Sequence, residues 1–168
     1  MLLTVDIGNT AIKFGVYDGD HLTFKISVPT IKDVTSTGLA NVLRGRLTQP
    51  VNAAIVSSVV PEVEDAVRWF IQGEYGVKPE FVNNSSNFGF RIFYEPVSEA
   101  GTDRIVNTFS AVEKYGVPLI VCSFGTALTI DVVDPNRSLI GGLIAPGMNT
   151  LTAALKSTTS KLPEVAIE

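Results

Sequence analysis

The chain has 168 residues, 45% of them hydrophobic and 18% charged, with a net charge of −4. That length holds one comfortable domain or two small ones, the balance argues against disorder, and the acidic sign gives no reason to expect nucleic acid or an anionic membrane surface as partner. One cysteine and one histidine leave no materials for an internal disulfide, a zinc site or serine-type catalysis, and Cys122 in an apolar run points to a reducing cytoplasm.

The start lacks a basic n-region and meets Asp6 early, so no signal peptide is expected. No apolar run approaches the length of a bilayer span. "LLTVDI" leads into two stretches of strict alternation, Ile12, Phe14 and Val16, then Leu22, Phe24, Ile26 and Val28, joined by the Asp-Gly hairpin signal "YDGDH". The expectation is a three-strand antiparallel meander. After it, "STGLANVLRGRL" reads as a helix with Leu39, Val42 and Leu43 at helical spacing and Thr35 or Ser36 as N-cap. "VNAAIVSSVVP" reads as a buried strand stopped by Pro61. "EVEDAVRWFIQG" reads as a helix burying Val63, Val67, Phe70 and Ile71 and closing at Gly73. "PEFVN" is a short strand, and residues 98–118 predict a longer helix with Ile105, Phe109 and Val112 inside and Gly116 at its end. Alternating strands and helices here imply a parallel half-sheet, so the whole is a mixed sheet with helices packed on it.

At Pro118 the pattern restarts. "LIVCSF", "ALTIDVVD" and "SLIGGLIAP" predict a second meander with "DPNR" as a turn, and a helix over 147–161 carries Met148, Leu151 and Leu155 on its apolar face. The expected domains are 1–117 and a smaller 118–168, with the second sheet's uncovered face promoting self-association.

Four stretches carry polar groups of chemical interest. "DIGNT" ends a strand in Asp6 and turns through Gly8, Asn9 and Thr10, offering backbone N–H groups, a hydroxyl and a carboxylate; it suits a phosphate with a metal ion beside it, or is an ordinary hairpin. "FGT" at Gly125 and Thr126 echoes it, with Ser123 falling where Asp6 stands in the first copy. In "GTDR", Asp103 is either a helix-end stabiliser or a carboxylate able to take a proton from a hydroxyl; Gly101 before it suggests close backbone approach. "GGLIAPG" offers close approach or the anion-friendly start of a helix, equally with tight packing between strands. His21 reads as a surface residue and Cys122 as a small core residue.

Together these stretches resemble the type III pantothenate kinases of the acetate kinase/sugar kinase/Hsp70/actin superfamily: "LLTVDIGNTAIKFGVYDGD", "VSSVVPEV", "YEPVSEAGTDRIVNTFSAVEKYG", "LIVCSFGTALTIDVVD" and "GGLIAPGMNTLTAALKSTTSKLPEV", in that order. The resemblance implies an α/β, ribonuclease H-like (actin-like ATPase) fold of duplicated domains, with a mixed five-stranded sheet and an incomplete second domain. It implies ATP-dependent phosphorylation of pantothenate, the first committed step towards coenzyme A, with Mg2+ and a monovalent cation, K+ or NH4+, in a cytoplasmic homodimer. Asp103 then matches the catalytic base. Asp6, Gly8, Asn9, Thr10, Lys13, Gly125 and Thr126 match the phosphate and ATP positions, Asp6 and Ser123 the metal positions, and Tyr94, Gly101, Thr102 and Arg104 the pantothenate positions. The family usually has Asp where this chain has Ser123, carries its proline one place later than Pro96, and continues past the "LPEVAIE" that ends this sequence. Two other readings stay open: a degenerate or truncated paralogue acting in binding or regulation, and a phosphohydrolase of the same superfamily.

Overall fold

The computed structural model describes residues 1–93 and 95–159; Tyr94 and the end of the expected 147–161 helix beyond Thr159 lie outside the described residues. The chain divides into two compact units, one of Met1–Ser86 with Gly101–Asp103, the other of Asn87–Ala100 with the chain from Arg104 onward.

The first unit opens with the expected meander, β1 (Leu2–Ile7), β2 (Ala11–Asp18) and β3 (His21–Pro29), followed by α1 (Ser36–Leu43), β4 (Ala53–Ser58), α2 (Pro61–Tyr75) and β5 (Glu80–Phe81). Its five strands lie in the order β3-β2-β1-β4-β5. β1 runs antiparallel to β2 and parallel to β4, and β4 runs parallel to β5. Alternation sorts each strand by face: Leu3, Val5, Ile7, Ile12, Phe14, Val16, Ala54 and Val56 are buried in one core with Leu39 and Leu43 of α1 and Val63, Val67, Phe70 and Ile71 of α2. Phe14 meets Phe70 edge to face at 6.1 Å between ring centroids. The opposite face of the sheet carries Thr4, Asp6, Lys13 and Ser57.

Helix ends depart from expectation in instructive ways. Thr35 is the N-cap of α1, its hydroxyl accepting from the Gly38 N–H at 3.1 Å, but the helix stops at Leu43 and leaves Val42 exposed. Pro61 does more than stop a strand: it starts α2, where its missing N–H costs nothing. α2 does not close at Gly73. It runs on to Tyr75 and ends at Gly76, which has φ of 66° and donates its N–H to the Gln72 carbonyl.

In the second unit β6 (Arg91–Ile92), a short 3-10 turn (Val97–Glu99), α3 (Thr102–Tyr115), β7 (Leu119–Phe124), β8 (Ala127–Val133), β9 (Ser138–Pro146) and α4 (Met148–Thr158) follow in the chain. Three of its strands form the expected second meander; β6, too short to announce itself in the sequence, joins it in parallel, giving the order β6-β9-β8-β7. The "DPNR" turn is held by Asp134, whose carboxylate accepts from the Asn136 and Ser138 N–H groups at 2.9 Å each. Desolvation pushes the Asp134 pKa up, but these hydrogen bonds together outweigh it and hold the group below its ordinary value.

The compact units cut the chain elsewhere than the expected 1–117 and 118–168. From Arg104 onward α3 belongs with the second meander, because Arg104 pairs with Asp131 of β8, Asn107 with Ser123 of β7 and Glu113 with Arg137. Within α3, Arg104, Ile105, Thr108 and Val112 are buried, while Phe109 is half-buried against Phe88. Cys122 is exposed rather than a core residue: on β7 it shares a face with Ile120 and Phe124, which is not the face turned to α3. Met148, Leu151 and Leu155 of α4 are likewise exposed. No helix among the described residues is long and apolar enough to cross a membrane.

Candidate functional site

The first hairpin turns at Gly8-Asn9-Thr10 between β1 and β2, closed by the Gly8 N–H donating to the Ala11 carbonyl at 3.1 Å. Thr30, just past β3, supports it from outside: its hydroxyl donates to the Gly8 carbonyl at 2.6 Å and its N–H to the Thr10 carbonyl at 3.0 Å. Asn9 and Thr10 are exposed at the tip. Asp6, at the end of β1 on the polar face, pairs in register with Lys13 on one side and Ser57 on the other. Lys13 Nζ donates to Asp6 Oδ2 at 3.1 Å, with both side chains largely in solvent. Ser57 is buried, and its Oγ has no hydrogen-bond partner among the described residues.

Gly101, Thr102 and Asp103 belong to this same unit. A Cβ on Gly101 would stand 2.6 Å from Asp103 Oδ1 and 3.9 Å from Val59 Cγ1. The carboxylate therefore folds back over residue 101, and a side chain there would turn it away. That segment also reaches the chain just beyond β4, whose Val59 N–H donates to the Ile7 carbonyl at the end of β1. Asp103 stands in the first turn of α3, where the helix dipole favours a negative charge.

Arg104 is buried in the second unit. Its Nε and Nη2 grip Asp131 of β8, the shortest contact being 2.5 Å from Nη2 to Oδ1. Gly142 of β9 packs beside this pair: a Cβ there would run into the Ile130 carbonyl of β8 and stand 3.0 Å from Arg104 Nη2. The second hairpin turns at Gly125 and Thr126, with the Gly125 N–H donating to the Ala127 carbonyl at 3.0 Å. The start of α4 packs directly on it: the Gly147 N–H and Thr150 hydroxyl both donate to the Thr126 carbonyl, at 3.0 and 2.9 Å. A Cβ at Gly147 would run into the Gly125 and Thr126 carbonyls, so "APG" is needed for close packing at the head of α4. Between hairpin and helix lies a cavity of about 260 Å³ bordered by Phe124, Leu128, Pro146 and Met148. Ser123 sits on the face of β7 turned to α3, and Asn107 Nδ2 donates to its Oγ at 3.4 Å.

The sequence reading missed Ser57, Asp131, Asn107 and Thr30. Asp131 had no signal: in "LTIDVV" it alternates with Leu128, Ile130 and Val132, which reads as a charge on the solvent face, whereas the structure buries it. Ser57 had a weak one, a small polar residue ending an apolar run. Asn107 and Thr30 had none, because their partners are distant in sequence.

Among the described residues no three His, Cys, Asp or Glu side chains gather into a metal-binding group. Mg2+ asks for less, one or two carboxylates together with waters and substrate phosphates. Asp6 beside an orphaned buried hydroxyl and an open Gly-Asn-Thr turn fits that need.

A mixed sheet in the order β3-β2-β1-β4-β5, a polar turn after its first strand, and a second meander repeating that device define a duplicated mixed α/β fold. Solved structures agree on the fold: a Campylobacter jejuni protein assigned to the Baf family of transcriptional activators has a TM-score of 0.55 at 18% identity over 94% of this chain and 60% of its own. The ethanolamine utilization protein EutJ of Carboxydothermus hydrogenoformans has a TM-score of 0.52 at 16% identity over 93% of this chain and 56% of its own. The family model for type III pantothenate kinase matches residues 2–168. Proteins of that name from Finegoldia magna and Geobacter sulfurreducens are 36% and 39% identical to the chain, over 100% and 99% of it and 66% and 68% of their own lengths. The chain belongs to the type III pantothenate kinase family and spans about two thirds of the length of the curated relatives it matches.

Proposed function

We propose that this chain carries out the family's reaction, transfer of the γ-phosphoryl group of ATP to the hydroxyl of pantothenate, in the cytoplasm and as a homodimer. The observation that carries the reading is the grouping of Asp103, in the first turn of α3, with the Asp6 hairpin in one compact unit. Phosphoryl transfer asks a protein mainly to position reactants and neutralise charge. Asp103 accepts the hydroxyl proton as the pantothenate oxygen attacks the γ-phosphorus; the bond to the β,γ-bridging oxygen breaks and ADP departs. Asp6, with Ser123 at the position of a family Asp, would hold Mg2+, which supplies charge neutralisation at the phosphates when bound. Gly8, Asn9, Thr10 and Lys13 of the first hairpin and Gly125 and Thr126 of the second hold phosphate oxygens. Gly101, Thr102 and Arg104, with Tyr94, hold pantothenate, and Asp131 presents Arg104. K+ or NH4+ serves as the monovalent cation.

The test is coupled ADP release with and without pantothenate, at saturating Mg2+, ATP and K+, on the chain and on its Ser123→Asp and Asp103→Asn variants. The expected result is pantothenate-dependent release that rises in Ser123→Asp and falls by about 10²-fold or more in Asp103→Asn. No pantothenate-dependent release from either the chain or Ser123→Asp would overturn the reading.

A further inference from the structure

Two independent features converge on Ser57. The first is register. On the polar face of the first sheet, Lys13 of β2, Asp6 of β1 and Ser57 of β4 stand side by side across three neighbouring strands. Directly paired residues on adjacent strands present their side chains to the same face, so Ser57 is the neighbour of Asp6 on the side away from Lys13. The second is an unmet demand. Ser57 is 9% exposed, and its Oγ has no hydrogen-bond partner among the described residues. A hydroxyl removed from water and left without a partner is destabilising, and the group that satisfies it is often a bound water or ligand. Its neighbour Ser58 shows the contrast, since that Oγ is already engaged by the Val60 N–H at 3.2 Å.

We propose that Ser57 is a positioning residue for Asp6: its hydroxyl donates directly to the Asp6 carboxylate once that carboxylate leaves Lys13, and holds it towards a divalent cation. Asp6 has two orientations to choose between. In the one seen here Lys13 Nζ holds Oδ2 at 3.1 Å, an exposed ion pair that water and salt readily loosen. A direct Ser57–Asp6 hydrogen bond stabilises the other orientation from the buried side, where it is less diluted by solvent. Partners of this kind tune cation affinity without touching the cation. The inference rests on Asp6 being the cation-holding carboxylate of the proposed function.

Mn2+ binding, followed by the loss of the free-ion paramagnetic resonance signal with ADP present, reads this step without turnover. Ser57→Ala should weaken Mn2+ binding about tenfold or more, while Ser57→Thr, which keeps the hydroxyl, restores it. An idle hydroxyl behaves in the opposite way: Ser57→Ala would then bind Mn2+ as the unaltered chain does and melt at a higher temperature in cation-free buffer. That pair of results would overturn the inference, and so would failure of the unaltered chain to bind Mn2+ under these conditions. Ser57-dependent Mn2+ binding without pantothenate-dependent ADP release would support the inference and count against the proposed function instead.

Discussion

Two arginine–carboxylate pairs in the second unit have the same 2.5 Å separation and opposite surroundings. The side chains of Arg104 and Asp131 are 6% and 2% exposed, those of Arg137 and Glu113 45% and 52%. Arg104 also engages Asp131 through Nε, which Arg137 does not do with Glu113, and burial widens the difference in weight. In the exposed pair water already solvates both charges, so its contribution lies near the bottom of a range of about 0–1 kcal/mol. In the buried pair, removing one charge strands the other with little solvent to compensate it, at a cost of about 3–5 kcal/mol. Asp131→Asn is therefore expected to lower the urea midpoint markedly, and Glu113→Gln to leave it nearly unchanged, in equilibrium unfolding followed by far-ultraviolet circular dichroism. Equal small shifts in both would mean that Arg104 is compensated by some group other than Asp131.

At the scale of elements, the two glycines near the end of α2 separate propensity from geometry. Gly73 lies inside the helix on its exposed side, and a Cβ there would meet nothing within 4 Å. Gly76, with φ of 66°, closes the helix in a conformation that side chains rarely adopt. Gly73→Ala should stabilise the first unit by about 0.5–1 kcal/mol through helix propensity alone. Gly76→Ala should destabilise it by about 1 kcal/mol or more, since the cap needs a left-handed residue. Thermal melts of the two variants should move in opposite directions; movement in the same direction would contradict the observed helix end. The same helix shows what the sequence could and could not convey. Period-2 and period-3.6 patterns named every long element, because face-sorting of Phe14 or Phe70 is written locally. Helix ends were less legible, since glycine at 73 and glycine at 76 look alike until φ is known. Least legible were pairings between distant residues. The alternation around Asp131 sets it on the face opposite Ile130 and Val132, where a solvent-facing charge would stand; only the packing of α3 on β8 buries it and supplies Arg104, and only strand register sets Ser57 beside Asp6.

For the chain as a whole, apolar burial is unevenly shared. The first unit closes one continuous core between one face of its sheet and the apolar faces of α1 and α2. In the second unit α3 covers one face of the sheet, through Arg104, Thr108 and Val112, and the other face, apart from the end where α4 borders Phe124 and Leu128, stays open among the described residues. Cross-strand register makes that open face a continuous apolar surface: Ile120 pairs with Val132, Cys122 with Ile130, Phe124 with Leu128, and Ile130 in turn with Leu143. Ile120, Phe124 and Leu143 are 65%, 78% and 50% exposed. Among the described residues β7 is also an edge strand, so backbone groups unpaired there border the same surface. An apolar patch of this kind next to an open edge drives association in water. The chain is expected to scatter light as more than a monomer at micromolar concentration. Ile120→Lys places a charge on the edge strand and in the patch, and should shift the population towards monomer. Because Ile120 is already largely in solvent, this change should alter stability by no more than about 0.5 kcal/mol. A monomeric unaltered chain would show that this surface is not an association surface. An associated Ile120→Lys variant with unchanged stability would place the contact elsewhere.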